Sequence, residues 1–309
     1  MISVRQHVIS LVAVFLALAL GLFLGSGFVG DRMNSVTGTS RDRLGDLENE
    51  RDTLNEQLNA ANGFDAAIAP RLIANVLRGQ SVLVVTAPNA ADADVTAVKE
   101  SISDAGAKFA GQLVLTDRLL GDGQAEQVRT IVDQTIPTGA LLRTEFTDTG
   151  GRVGDLLGAL TLTGPGRTPA STGDRDMGLQ LLRDGGFIDY RTNALSTADL
   201  VVVVTGDKFS GDSGAEGALV ARLAAAMTAR ARGGVLVGRT GSADGGSPIA
   251  VVRADPSLGN TVSTVDNVDQ QTGRITTVLA LGAETKGRSG AYGTGAGAGA
   301  ITVGTDGRP

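Results

Sequence analysis

The chain has 309 residues, 42% of them hydrophobic but only 3% aromatic, with 44 glycines, one histidine, no cysteine and a net charge of −6. The missing thiols rule out a disulfide framework and thiolate metal sites, and a lone histidine near the start leaves no Ser-His-Asp, Cys-His or His-rich zinc arrangement for the rest of the chain. An acidic balance without a basic run or basic-aromatic interleaving argues against a nucleic-acid partner.

Between Arg5 and Asp31 the only ionisable side chain is His7, and residues 8–25 are almost wholly apolar. A bilayer core of about 30 Å takes roughly 20 helical residues. Residues 1–30 are therefore expected to form a transmembrane anchor in membrane lipid. The run exceeds the roughly 7–15 apolar residues of a cleaved signal, although the small-x-small pattern at Ala17-Leu18-Ala19 keeps cleavage as the alternative. Arg5 on the N-terminal side predicts a cytoplasmic N-terminus, hence a single-pass protein with its bulk outside the cytoplasm. His7 could be a metal ligand or a proton relay; the plainer reading is an interfacial residue at the helix start.

Residues 31–69 are expected to form a short coiled-coil neck. Leu44, Leu47, Arg51, Leu54, Leu58 and Ala61 follow spacings of 3, 4, 3, 4 and 3, an a/d heptad seam on an otherwise polar helix. The seam predicts a homo-oligomer through Leu44, Leu47, Leu54 and Leu58. The alternative is a solvated stalk that packs on its own head. Asn62-Gly63 is expected to break the pattern, with Pro70 as a second boundary.

Residues 70–286 read as a Rossmann-like, doubly wound, mostly parallel α/β domain outside the cytoplasm. Residues 81–86 form a continuous apolar run, as a strand buried on both faces would. Asp94 can cap a helix carrying Val95, Val98, Ile102 and Ala105, closed by Gly106, and residues 108–115 are the next strand of a βαβ unit. Helices are predicted at 123–135, 155–162 and 174–183, a loop at 163–173 and a short strand at 187–190. A second unit follows: a strand at 199–205, a Gly-rich loop, a helix with Leu219, Leu223, Ala226 and Met227 on one face, a stop at Gly233-Gly234 and a strand at 235–238. Residues 249–253 are read as one more strand and 270–284 as a last helix with Ile275, Val278, Leu279 and Leu281 inward. The repeated blocks VLVVT and VVVVT are read as two units of one sheet rather than an ancient duplication. Residues 287–309 are Gly/Ala-rich and costly to order. They are expected to be a mostly mobile tail in which Tyr292 and residues 301–303 could dock.

No catalytic constellation emerges, so the chain is not expected to be an enzyme or to carry a cofactor. The loop at 206–217 sits where open α/β sheets bind ligands. It is neither G-x-G-x-x-G nor a Walker A sequence, and Asp207, Asp212 and Glu216 outweigh Lys208 against a phosphate. The glycines 293, 295, 297 and 299 follow no predicted strand and open no helix. The acid pairs Asp174/Asp176 and Asp266/Asp269 could ligate a hard cation, but capping or solvation is the expected role. Met177 and Met227 could ligate Cu(I); both are expected in the core.

One resemblance spans essentially the whole chain. It is carried by Ile2-Ser3 with Arg5-Gln6-His7, by Leu24-Gly25-Ser26-Gly27, by Ser263-Thr264-Val265-Asp266 opening STVDNVD, by Gly273-Arg274-Ile275 opening GRITTVLAL, and by Tyr292-Gly293-Thr294-Gly295. In these segments and their order the chain resembles the actinobacterial copper transport protein B family, described as outer-membrane channel-forming proteins. The resemblance implies copper transport and homeostasis at the outer membrane or cell envelope, a channel or efflux component that keeps intracellular copper low, and copper ions as a partner. It assigns no metal ligand. With no tryptophan and two tyrosines, the chain lacks the aromatic girdles of an outer-membrane barrel, so a channel would have to arise by oligomerisation, or copper efflux from an indirect role. The alternative is a membrane-anchored structural or interaction module without transport activity of its own.

Overall fold

The computed structural model describes residues 14–18, 28–121, 123–192, 194–209 and 214–304, of which 28–42 and 214 are described by their backbone alone. The chain divides into two units, residues 1–61 and 62–309.

In the first unit, residues 14–18 are helical and exposed, while the remainder of the expected anchor at 8–25 lies outside the described residues. No helix among the described residues is long and apolar enough to cross a membrane. Helix α1, Phe28–Ile73, carries the heptad residues. Leu44, Leu47, Leu54 and Leu58 are 49–61% exposed, so the apolar seam is present and uncovered. The expected break at Asn62-Gly63 does not occur, and Pro70 lies inside the helix. A single glycine costs a helix only about 1 kcal/mol. In the second unit the last turns are anchored by buried Ala69 and Ile73, which join the hydrophobic core.

The second unit is built on a seven-stranded sheet of order β3-β2-β1-β4-β5-β6-β7. The strands are β1 Ser81–Thr86, β2 Lys108–Leu115, β3 Ile188–Tyr190, β4 Leu200–Val204, β5 Gly233–Val237, β6 Ser263–Val265 and β7 Ala291–Tyr292. Every neighbouring pair is parallel except β2 with β3. The first six strands follow the order of doubly wound nucleotide-binding sheets, with a switch point between β1 and β4. The apolar runs VLVV and LVVVV are the two central strands, paired Val82 to Leu200 through Thr86 to Val204. Because side chains alternate across a strand, Leu83, Val85, Val201, Val203 and Leu236 enter one core, while Val82, Val84, Leu200, Val202, Val235 and Val237 enter the other.

Helices cover both faces. On one lie α2 (Asp92–Asp104) and α10 (Gln271–Glu284), contributing Val95, Val98, Ile102, Val278 and Leu281. On the other lie α4 (Ala125–Gln134), α5 (Thr149–Thr161), α6 (Thr172–Asp184), α7 (Gly214–Thr228) and the short α8 (Pro248–Ala254). Two four-residue helices, α3 (Asp117–Leu120) and α9 (Pro256–Gly259), complete the set among the described residues. Close packing of α5 on α7 explains a stripe of glycines: a Cβ at Gly150 would come within 2.3 Å of the Leu219 carbonyl oxygen, and one at Gly154 within 2.5 Å of the Leu223 carbonyl oxygen.

Several expectations are corrected. Residues 249–253 form helix α8 rather than a strand, with Pro248 at its first turn, where a missing N–H costs nothing. The next strand is Ser263–Val265, inside STVDNVD. Gly233-Gly234 do not merely stop a helix but begin β5. Asp94 does not cap α2, which starts at Asp92; it is buried in the helix's first turn. The Gly/Ala-rich segment is not simply mobile. Ala291-Tyr292 add a strand to β6, Tyr292 is buried, and Thr302 meets the Thr276 hydroxyl at 2.8 Å. Ile301 stays exposed, and residues 305–309 lie outside the described residues.

Candidate functional site

Parallel sheets present their ligands at the carboxyl ends of the strands, beside the switch point. Here the loops after β1 and β4 touch beside that point. Asn89, in the loop after β1, accepts through Oδ1 from the Thr205 hydroxyl and the Gly206 N–H, both at 3.1 Å. A Cβ at Gly206 would come within 2.3 Å of the Asn89 carbonyl oxygen, so the two loops touch. In the loop after β4, Asp207 turns its carboxylate onto the Lys208 N–H at 2.7 Å. Residues 210–213, which include Asp212, lie outside the described residues. The part of the loop that is described offers no phosphate cradle.

Further along the same end, Arg239 Nε lies 2.9 Å from buried Asp94 Oδ2. Burial pushes the Asp94 carboxyl above its ordinary value, against the pull of Arg239. Asp269 accepts from the Thr240 N–H at 2.9 Å and from its hydroxyl. Buried Ser242 Oγ and Asn267 Oδ1 have no hydrogen-bond partner among the described residues.

The densest arrangement is at the end of β6. Asp266 is 1% exposed and accepts from three donors. Arg253 Nη1 donates at 2.6 Å, the Thr294 N–H at 2.9 Å and the Gly295 N–H at 2.9 Å. Gly293 packs against the same carboxylate: its φ is +124° and a Cβ would fall 2.1 Å from Asp266 Oδ1, while its own N–H donates to the Ala300 carbonyl. Glycine is required there both by the backbone and by the close approach. Arg253 also donates to Thr264 Oγ1 and to the carbonyls of Tyr292 and Ala296. Beside this junction, Arg274 donates to the carbonyls of Val268 and Asp269. A Cβ at Gly273 would come within 2.1 Å of the Asn267 carbonyl oxygen. The three segments STVDNVD, GRI and YGTG, far apart in the chain, are thus one knot: a buried carboxylate held in a cluster of backbone N–H groups and a guanidinium.

The metal candidates separate on the same geometry. Asp266 has its oxygens occupied by N–H donors, and Asp269 is held by Thr240. Asp174 accepts from the Thr138 N–H at 3.2 Å, and Asp176 stands 3.5 Å from Arg175. Met227 is wholly buried as expected, but Met177 is 61% exposed, a correction to its expected place in the core. His7 lies outside the described residues. Among the described residues no three His, Cys, Asp or Glu side chains group as a metal site. The knot itself gave one sequence signal, the +φ-prone glycines of YGTG, but a tail rich in glycine throughout conceals it.

Comparison with known proteins places these segments in a wider set. The family model described as "Copper transport outer membrane protein, MctB" matches residues 1–303. The protein named copper transporter MctB in Mycobacterium tuberculosis is 41% identical over 312 residues, covering 98% of this chain and 99% of the relative. The Mycobacterium bovis protein of the same name is 41% identical over the same coverage. That of Mycobacterium leprae is 42% identical over 315 residues, covering 98% and 99%.

Proposed function

Because the chain belongs to the copper transport outer membrane protein MctB family, we propose that it serves copper transport in the cell envelope and keeps intracellular copper low. The observation that carries this reading is the family match over residues 1–303, which includes the N-terminal segment, the heptad helix and the α/β unit together. In this reading residues 8–25 anchor the chain in lipid with its bulk outside the cytoplasm. The exposed seam of Leu44, Leu47, Leu54 and Leu58 joins copies of the chain, and the assembly rather than one subunit provides the channel or efflux path. The α/β unit positions that assembly and catalyses no reaction of its own.

A second reading keeps anchor, seam and α/β unit as an envelope interaction module without transport activity. It is favoured by one observation: the carboxylates best placed to ligate a cation are already held by donors of the chain itself.

Cellular copper measured in a strain lacking the gene, complemented with the natural chain or with the triple variant Leu47→Asp, Leu54→Asp, Leu58→Asp, tests both. Charges at seam positions separate the copies. The deletion strain should accumulate copper, the natural chain should restore the low level, and the triple variant should be smaller by light scattering and fail to restore it. Unchanged copper in the deletion strain would remove the transport reading. Full rescue by a variant that no longer self-associates would remove the oligomeric path.

A further inference from the structure

A cavity of about 580 Å³ opens on the helical side of the α/β unit, away from the knot. Its walls are residues 137–141 and 166–170, and Ala159, Leu162 and Arg230 close its floor. Three guanidinium groups converge on this region, with Asp155 buried among them and Asp174 accepting from the Thr138 N–H at the wall. Buried Asp155 accepts from Arg230 Nε and Nη2, each at 2.6 Å, and from the Arg143 backbone N–H at 2.8 Å. Arg230 also donates to the Leu141 carbonyl at 2.7 Å, and Arg143 donates to the carbonyl of Ala229 just past α7. Asp155, Arg143 and Arg230 are thereby explained as structure: a buried pair, and cations placed at the negative end of a helix.

Arg167 is not explained in that way. Its guanidinium reaches the same Ala229 carbonyl only at 3.5 Å, the outer limit of a hydrogen bond. Among the described residues no carboxylate forms an ion pair with it. Desolvation first, and then the charges of Arg143 and Arg230 against that of Asp155, push its pKa below the ordinary guanidinium value. The rest of the lining supplies the hydroxyl-bearing Thr138 and Thr168 and an apolar surface. Leu141, at the cavity, is 87% exposed, an apolar side chain left in water.

We propose that this cavity binds an amphipathic anion, whose phosphate or carboxylate head meets Arg167 and whose short apolar body lies on Leu141 and Leu162. A guanidinium fork recognises such heads through charge-assisted hydrogen bonds, and the volume is that of an ordinary small-molecule pocket. The same head chemistry occurs on a soluble phosphate monoester and on an anionic lipid, and the test distinguishes them.

Full-length chain in nanodiscs of zwitterionic lipid is titrated with octyl phosphate and, separately, with inorganic phosphate, by calorimetry. Octyl phosphate should bind more tightly than inorganic phosphate. Arg167→Gln should weaken both by at least roughly tenfold, the contribution of one charge-assisted bond. Leu141→Ser should weaken only octyl phosphate. Arg191→Gln, at a separate cationic groove beside Tyr190, should change neither. Competition by vesicles containing phosphatidic acid would assign the site to a lipid, and its absence to a soluble ligand. No binding at millimolar octyl phosphate, or binding indifferent to Arg167→Gln in a variant whose circular dichroism is unchanged, would overturn the proposal.

Discussion

Replacing Asp266 by Asn should release the YGTG segment from the sheet before it unfolds anything else. The carboxylate accepts from Arg253, Thr294 and Gly295 within 2.6–2.9 Å. An asparagine of the same shape keeps one acceptor oxygen and turns an NH₂ group towards donors. The Arg253 side chain, 4% exposed, is left as a buried cation without its counter-charge. Breaking one partner of such a pair costs about 3–5 kcal/mol. The local opening free energy cannot exceed the global stability, about 5–15 kcal/mol for a domain, so the loss is a large share of what holds residues 291–300. Amide exchange read by mass spectrometry resolves it. Peptides covering 290–300 should lose roughly two to three orders of magnitude in protection, while peptides covering β1 and β4 lose far less. Arg253→Met combined with Asp266→Asn should recover part of the loss, because it removes the stranded charge. Unchanged protection at Thr294 and Gly295, or an equal fall across β1, would refute the claim that this carboxylate locks the tail locally.

Two further predictions follow from the same unit. Glu284 is buried and accepts from the Ser263 N–H and hydroxyl, and burial raises its pKa from 4.5 to about 6. The folded chain therefore keeps a proton that the unfolded chain has released between these values. This contribution is full below pH 4.5, declines as pH rises, and is lost above about pH 6, a change of about 2 kcal/mol; Glu284→Gln should remove that slope from urea-unfolding data collected from pH 4 to 7.5. Gly154→Ala should destabilise the α/β unit by about 1–3 kcal/mol in the same assay, because the added Cβ meets the Leu223 carbonyl oxygen at 2.5 Å; a neutral result would show that α5 and α7 can separate freely.

The parts legible in the sequence were those where one physical signal dominates. Residues 81–86 and 200–204 are unbroken β-branched and leucine runs, and only burial on both faces of a parallel sheet explains them. The amphipathic stripes of α2 and α10 were equally plain. The failures share a cause: glycine and proline act as breakers only when the tertiary structure does not need them. Gly150, Gly151 and Gly154 hid the first turns of α5, since from sequence they weaken a helix, whereas in the fold Gly150 and Gly154 admit the backbone of α7 and Gly151 lies against Phe146. Pro248 begins a helix that the apolar run Ile249-Ala250-Val251-Val252 disguised as a strand. The strand at 263–265 is three residues long and carries Ser and Thr, too short and too polar to announce itself. Its place is set by partners on both sides, β5 and β7. The YGTG tail was legible as a family marker but not as structure, because the group that orders it, Asp266, is more than twenty residues away in sequence.

The same contrast bears on how a chain of this family deals with copper. Cu(I) is held tightly by thiolate and thioether sulfur, yet this chain has no cysteine and four methionines. Met227 is closed in the core and Met177 stands alone on the surface of α6. Asp266, the most deeply buried carboxylate of the family segments, is committed to ordering the tail. Such a donor set suits passage better than storage, since conduction requires an ion to be bound weakly enough to leave. If copper passes through an assembly of these chains, the α/β unit need contribute no high-affinity site.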